Sequence, residues 1–168
     1  MKRTLSLFLW LIVFSIYADA QERPKGAVLL GGSLSSDISS SAWNCRGSVV
    51  GGVFLLKNFA VGTEVTLSID KAYHSAGHNS ISPSLFARYH LPFFTPIFLQ
   101  IGYGSTFYSS TINSPRVSYW YPRLGFDIDI LKTIILEWSV SRYFVSPEYS
   151  PAISTNLSFL ILLNNRTK

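Results

Sequence analysis

The feature that most constrains the fold of this chain is a strict two-residue alternation of apolar and polar side chains between Val117 and Val145. Such alternation indicates strands with one apolar and one polar face. A soluble sandwich would show it too, but here the apolar face is large and aromatic and the polar face carries both charges, which favours a barrel with lipid outside and a polar lumen. The apolar parity comprises Trp120, Pro122, Leu124, Phe126, Ile128 and Ile130, then Ile134, Leu136, Trp138 and Val140.

The first twenty residues have the organisation of a secretory signal peptide. Lys2 and Arg3 form a basic start, residues 5–17 are apolar, and Ala18-Asp19-Ala20 is a small-residue cleavage site. The apolar stretch is shorter than the roughly 20 residues that a membrane-spanning helix needs. We therefore predict a cleaved signal peptide at residues 1–20 and one outer-membrane barrel domain at residues 21–168.

Composition excludes several classes of function. The net charge of +5 falls to about +4 when Lys2, Arg3 and Asp19 leave with the signal peptide, which is too weak and dispersed for nucleic-acid binding. Cys45 is the only cysteine, so an internal disulfide is impossible. The chain has no phosphate loop, nucleotide fingerprint or cysteine metal site, and we expect no cofactor and no metal.

Eight segments have strand character, most of them about ten residues long, as a tilted membrane crossing requires. Short turns at 57–58, 91–96 and 131–132 alternate with longer polar connections, a pattern typical of outer-membrane barrels. The predicted fold is all-β: an eight-stranded antiparallel up-and-down transmembrane barrel with both termini on the short-turn side. The predicted strands are 26–35, 48–56, 59–69, 80–90, 97–107, 117–130, 133–145 and 152–163, and the long loops are 36–47, 70–79, 109–116 and 146–151.

Parity also predicts which side chains face lipid. Aromatic rings favour the two membrane–water interfaces, so aromatic residues near the strand ends are expected to form girdles there. The other lipid-facing candidates are Phe59, Val61, Val65, Leu67, Ile69, Ile81, Leu85, Tyr89, Ile97, Leu99, Ile101, Tyr103, Phe107, Ile153, Leu157, Phe159, Ile161 and Leu163. The girdle candidates are Phe93, Phe94 and Phe98 at one level and Tyr108, Tyr119, Trp120, Tyr121, Tyr143, Phe144 and Tyr149 at the other.

Charged residues of both signs share the lumen parity. An eight-stranded barrel has an interior that side chains just fill, and an unpaired buried charge is costly. We therefore expect an interior charge network in which Glu137 pairs with Arg123 or Arg88. It would form a static polar plug, with a gated ion path as the alternative. The network candidates are Glu64, Arg88, Arg123, Asp127 and Glu137, and Gln100 and Asp129 share their parity.

A strand–turn–strand unit occurs twice, at residues 50–62 (VGGVFLLKNFAVG) and 124–137 (LGFDIDILKTIILE). With the strands at 82–90 and 99–104, it resembles the small eight-stranded outer-membrane barrel domains of Bacteroidetes-type bacteria, related in form to OmpA-like transmembrane barrels. The resemblance covers nearly all of residues 21–168. It implies an integral protein of the outer membrane of a Gram-negative bacterium, in contact with outer-membrane lipid, lipopolysaccharide and the barrel-assembly machinery.

We expect a non-enzymatic barrel with a structural role or a role in surface interactions made by its long loops. The sequence does not identify the ligand of these loops. A narrow porin-like or small-solute-binding barrel is the alternative. A less favoured one is a membrane-embedded lipid hydrolase using His74 or His78. Outer-membrane lipid A deacylases carry a His-x-Ser-Asn pattern, which this loop does not reproduce, and a metal shared by histidines four apart suits a helix rather than a loop.

Overall fold

The chain folds into a closed barrel of eight antiparallel strands, in which each strand pairs with its sequence neighbours and β1 pairs with β8. The computed structural model describes residues 23–38, 42–72, 78–92, 94–109, 116–131, 133–145 and 152–163. The predicted all-β, eight-stranded up-and-down barrel is therefore confirmed. The strands are β1 (Val28–Ile38), β2 (Ala42–Leu56), β3 (Phe59–Ala72), β4 (His78–Leu91), β5 (Phe94–Tyr108), β6 (Val117–Asp129), β7 (Ile134–Val145) and β8 (Ala152–Leu163).

The predicted signal peptide at residues 1–20 lies outside the described residues and stays a prediction. Within those residues, the chain contains no helix with the length and apolar character needed to span a membrane.

The first four strands are longer than predicted at the end of the barrel where the long connections lie, here called the loop end. The β1–β2 hairpin continues through the pairs Asp37↔Asn44 and Ile38↔Trp43, so most of the predicted loop 36–47 is strand. β3 and β4 extend in the same way into the predicted loop 70–79. The sequence of these extensions lacks apolar alternation, but cross-strand pairing continues through them.

The outward face carries a belt of exposed apolar side chains to which all eight strands contribute. Leu85, Tyr103 and Phe159 are 65%, 60% and 59% exposed. All the predicted lipid-facing residues lie on this face and are exposed or half-exposed. An apolar surface of this extent suits lipid rather than water.

The inward face is divided between an apolar cluster and a group of charged and polar side chains. The prediction of a polar lumen is therefore only half correct. β8 shows why: its inward Leu160 and Leu162 alternate with equally apolar outward residues, so no polar side chain marks the inside of the strand at that end. The apolar cluster consists of Ala27, Leu29, Val50, Phe54, Ala60, Phe86, Ile135, Leu160 and Leu162.

Several aromatic residues predicted for the interfacial girdles lie inside the barrel instead. Phe98 and Tyr121 are buried, and Tyr119 and Tyr143 pack with Tyr121 in the lumen. Phe98 fits there because its partner on β6, Gly125, has no Cβ; a Cβ at that position would overlap the Phe98 ring. A position near the end of a strand does not show whether a ring faces the lipid or the lumen.

Other girdle candidates do lie on the outward face. The rings of Trp120 and Phe144 stack with their centroids 4.2 Å apart, and Tyr108 is exposed. Phe93, Tyr149 and the side chain of Phe94 lie outside what the structure describes.

Candidate functional site in the barrel lumen

The first element of the lumen site is an ion pair that crosses the barrel. Arg88 on β4 and Glu137 on β7 are three strands apart in the sheet, yet the Arg88 Nη1 atom lies 2.7 Å from Glu137 Oε2. Arg88 Nε donates a hydrogen bond of 2.8 Å to Gln100 Oε1, and the guanidinium lies 4.0 Å from the ring centroid of Phe98. Both charged side chains are buried, so the pair joins opposite walls of the lumen.

A second ion pair crosses the lumen in the same manner. Arg123 on β6 reaches Glu64 on β3, with 3.0 Å between Arg123 Nη2 and Glu64 Oε2. Arg123 Nε donates to Ser141 Oγ at 2.8 Å, and the Tyr121 hydroxyl donates to Glu64 Oε2 at 3.1 Å. Gln100 Nε2 donates to the same Tyr121 hydroxyl at 3.4 Å. The two ion pairs therefore belong to one hydrogen-bonded network.

A third cluster centres on Arg23 and lies next to the Arg88–Glu137 pair, since Asp127 of this cluster is the cross-strand partner of Glu137. It is at the end of the barrel opposite the loop end, here called the turn end. Arg23 Nη2 is 2.8 Å from Asp129 Oδ1 and 3.5 Å from Asp127 Oδ2. The Asp127 carboxylate also lies 3.1 Å from His90 Nε2. Asp129 is only partly covered, whereas Arg23, Asp127 and His90 are buried. The cluster thus links the segment before β1 to β4 and β6.

Asn58 in the β2–β3 turn holds Arg23 in place. Its φ of 63° is left-handed, a conformation that asparagine tolerates better than most residues. The Arg23 backbone N–H donates to Asn58 Oδ1 at 3.1 Å, and the Asn58 N–H donates to the Arg23 carbonyl at 3.0 Å. The His90 N–H donates to the Asn58 carbonyl at 2.8 Å. The segment before β1 is therefore fastened at the turn end with its guanidinium inside the lumen.

The buried carboxylates of the lumen are paired with arginine side chains. Each of the buried carboxylates Glu64, Asp127 and Glu137 lies within 3.5 Å of a guanidinium. Such pairing offsets the cost of taking these charges out of water. Among the described residues, no group of three or more histidine, cysteine, aspartate or glutamate side chains could hold a metal ion. Buried polar atoms without a hydrogen-bond partner among those residues are Arg23 Nε and Nη1, His90 Nδ1, Asp127 Oδ1, Ser139 Oγ and Ser154 Oγ.

The five network residues predicted from sequence all have buried side chains inside the barrel. Of the two partners expected for Glu137, the structure selects Arg88. Arg123 lies opposite Ser141 on β7, whereas Glu137 lies opposite Asp127. The four-residue offset between Ser141 and Glu137 separates Arg123 from Glu137 along the strands.

Sequence reasoning missed Arg23 and His90. His90 shares the inward parity of Arg88 on β4 and could have been found by extending that parity to the turn. Arg23 precedes β1, where no periodicity indicates a direction. The hydrolase candidates His74 and His78 are not placed, because residue 74 and the side chain of residue 78 lie outside the described part of the chain.

Known protein structures include barrels with a similar fold. No protein-family model matches the chain, and no curated protein sequence matches it. The crystal structure of Neisserial surface protein A (NspA) is similar, with a TM-score of 0.53 and 13% identity over 82% of this chain and 95% of that one. The outer membrane protein OprG from Pseudomonas aeruginosa has a TM-score of 0.50 and 11% identity over 84% and 94%. The chain therefore has a barrel fold of the kind seen in a neisserial surface protein and in an outer membrane protein.

Proposed function

We propose that the protein is an integral outer-membrane barrel of a Gram-negative bacterium, without enzymatic activity, with a structural role or a role in surface contacts made by its long loops. The observation that carries this proposal is the exposed apolar belt around a closed barrel whose interior holds a buried charge network, formed by Glu64, Arg88, Arg123, Asp127 and Glu137. This distribution is stable in lipid, whereas in water it would leave a large apolar surface exposed. The fold shared with OprG supports the same compartment.

In the proposed orientation the termini and short turns face the periplasm and the long loops face outward, as the alternation of short and long connections favours. Outer-membrane lipid, lipopolysaccharide and the barrel-assembly machinery are the proposed partners. The repeated strand–turn–strand unit supports the finer proposal that the barrel is OmpA-like and of the Bacteroidetes type.

The lumen favours a structural role over a conducting one. The ion pairs Arg88–Glu137 and Arg123–Glu64 connect opposite walls, and Tyr121 bonds to the second pair. An ion passing through would have to break these charge-assisted contacts in an interior that side chains already fill. A porin-like function would therefore require the network to rearrange.

Fractionation of cells expressing the full chain tests the proposal. The protein should be recovered in the outer membrane and should migrate faster on unboiled than on boiled gels, because a closed barrel resists detergent. Leu157→Arg, which puts a charge in the middle of the outward face of β8, should cost about 2–4 kcal/mol and reduce the folded band. The matched control Ser109→Arg, at the loop end, should fold normally. Recovery of folded protein from the soluble periplasm would exclude the proposed function.

A further inference from the structure

A groove of about 530 Å³ crosses the outward face of β4, β5, β6 and β7. Ala87, Ile101 and Pro122 lie in one row across three strands, and the small Ala87 and Pro122 give the groove its depth. A second depression of about 390 Å³ shares Ala87 and Ile101 and continues along the same wall. The lower wall of the groove is a row of larger apolar side chains: Tyr89, Leu99, Leu124 and Val140.

The groove runs obliquely across the outward apolar belt, from β4 toward the loop end of β7. Counted from the loop end of each strand, Ala87 is nine residues away, Ile101 seven, Pro122 five and Arg142 three. Arg142 continues the row of Ala87, Ile101 and Pro122, because its neighbour Ser141 pairs with Arg123. The row crosses three strand spacings of about 4.8 Å, which at a 45° tilt is a rise of roughly 10 Å along the membrane normal. An acyl chain lying in the groove would therefore have its head-group end at Arg142.

Arg142 breaks the apolar parity of β7. Its side chain is exposed on the same face as Trp138 and Val140, and its guanidinium lies 5.0 Å from the ring centroid of Phe144, which stacks on Trp120. A cation on a lipid-facing wall is costly unless it reaches the polar interface. The planar guanidinium also matches the geometry of a phosphate group better than an ammonium does.

We propose that this groove binds one molecule of a phosphorylated, acylated glycolipid of the lipopolysaccharide type, with an acyl chain over Ala87 and Pro122 and a phosphate at Arg142. The assignment rests on the proposed function, because the orientation given there places the loop end in the outer leaflet, where that glycolipid resides. The apolar lining fits the chain, and the cation at the upper end of the groove fits the phosphate.

Native mass spectrometry of the folded barrel in detergent tests the site, with titrations of lipid A, of dephosphorylated lipid A and of phosphatidylglycerol. The wild type should bind one lipid A. Arg142→Gln should weaken binding about tenfold, and Arg142→Lys less, because a charge alone retains part of a phosphate contact. Ala87→Phe, which fills the groove, should cause a similar loss. The control variants Arg116→Gln, at the loop end of β6, and Val49→Phe, on the outward face of β2, should bind like the wild type.

Unchanged binding by Arg142→Gln and Ala87→Phe, or equal binding of dephosphorylated lipid A, would overturn the site. Stronger binding of phosphatidylglycerol than of lipid A would overturn the choice of lipid. The gel shift of unboiled samples verifies that each variant is folded. Arg142→Gln and Ala87→Phe test the two ends of the groove independently. Failure of the chain to reach the outer membrane would reject the proposed function, whereas the titrations on the folded barrel report on the groove separately.

Discussion

At the scale of single residues, the interior of the barrel is organised by arginines that reach across it. Arg88 and Arg123 each contact a carboxylate three strands away, and Arg23 reaches β6 from outside the sheet. Long side chains suit this role because the interior of an eight-stranded barrel is narrow enough for one arginine to reach the opposite wall. Each pair therefore ties together strands that share no backbone hydrogen bonds.

Removing the carboxylate of Glu137 should strongly destabilise the barrel. Glu137→Gln leaves the Arg88 guanidinium buried without its counter-charge, which typically costs about 3–5 kcal/mol. The measurement is the free energy of unfolding in urea with the barrel in lipid vesicles. Lys25→Gln, at an exposed position before β1, is the control and should change the stability by less than about 0.5 kcal/mol.

A double-mutant cycle identifies the partner. Arg88→Met combined with Glu137→Gln should cost less than the sum of the two single changes, because the second change removes a charge that the first has already left unpaired. Arg123→Met combined with Glu137→Gln should show weaker coupling, since Arg123 contacts Glu64. Equal coupling in the two cycles would contradict the observed pairing.

At the scale of elements, the sequence predicts strands best where alternation is complete. The predicted bounds of β6, β7 and β8 lie within one residue of the observed ones at each end, because apolar and polar side chains alternate along most of each strand. The predicted β1 and β2 are too short at the loop end, since the paired segments 36–38 and 42–47 have no apolar–polar alternation in their sequence. Parity also predicts which charged side chains point inward, but it does not give the distances across the lumen. It therefore leaves open whether Glu137 pairs with Arg88 or Arg123.

The attachment of the segment before β1 to the β2–β3 turn depends on both the backbone and the side chain of Asn58. Asn58→Gly keeps the left-handed conformation but loses the oxygen that accepts from Arg23. Asn58→Ala loses that oxygen and adds strain of about 1–2 kcal/mol. Both variants should speed amide hydrogen exchange at Arg23 and His90, and alanine should also lower the overall stability more than glycine. Equal stability of the two variants would show that the turn conformation is not limiting.

At the scale of the whole molecule, the two ends of the barrel differ in construction. The turn end is closed by the Arg23 cluster and by the apolar cluster that includes Phe54 and Leu162. At the loop end, β1 and β2 continue as a paired hairpin through Asp37↔Asn44 and Ile38↔Trp43, beyond the predicted strand bounds. A barrel that is filled at one end and extended at the other is suited to present its loops on a rigid base, which agrees with the proposed surface role.

Chemical labelling of single cysteines in intact cells tests this polarity. In a Cys45→Ser background, Ser109→Cys marks the loop end and Lys57→Cys marks the β2–β3 turn; the native residues at both positions are exposed. A membrane-impermeant maleimide should react with the cysteine at position 109 in intact cells. It should reach position 57 only after the outer membrane is permeabilised, because the short turns face the periplasm in the proposed orientation. The Cys45→Ser parent without a new cysteine sets the background. Labelling of position 57 but not of position 109 in intact cells would invert the orientation, and it would move Arg142 and its groove to the inner leaflet.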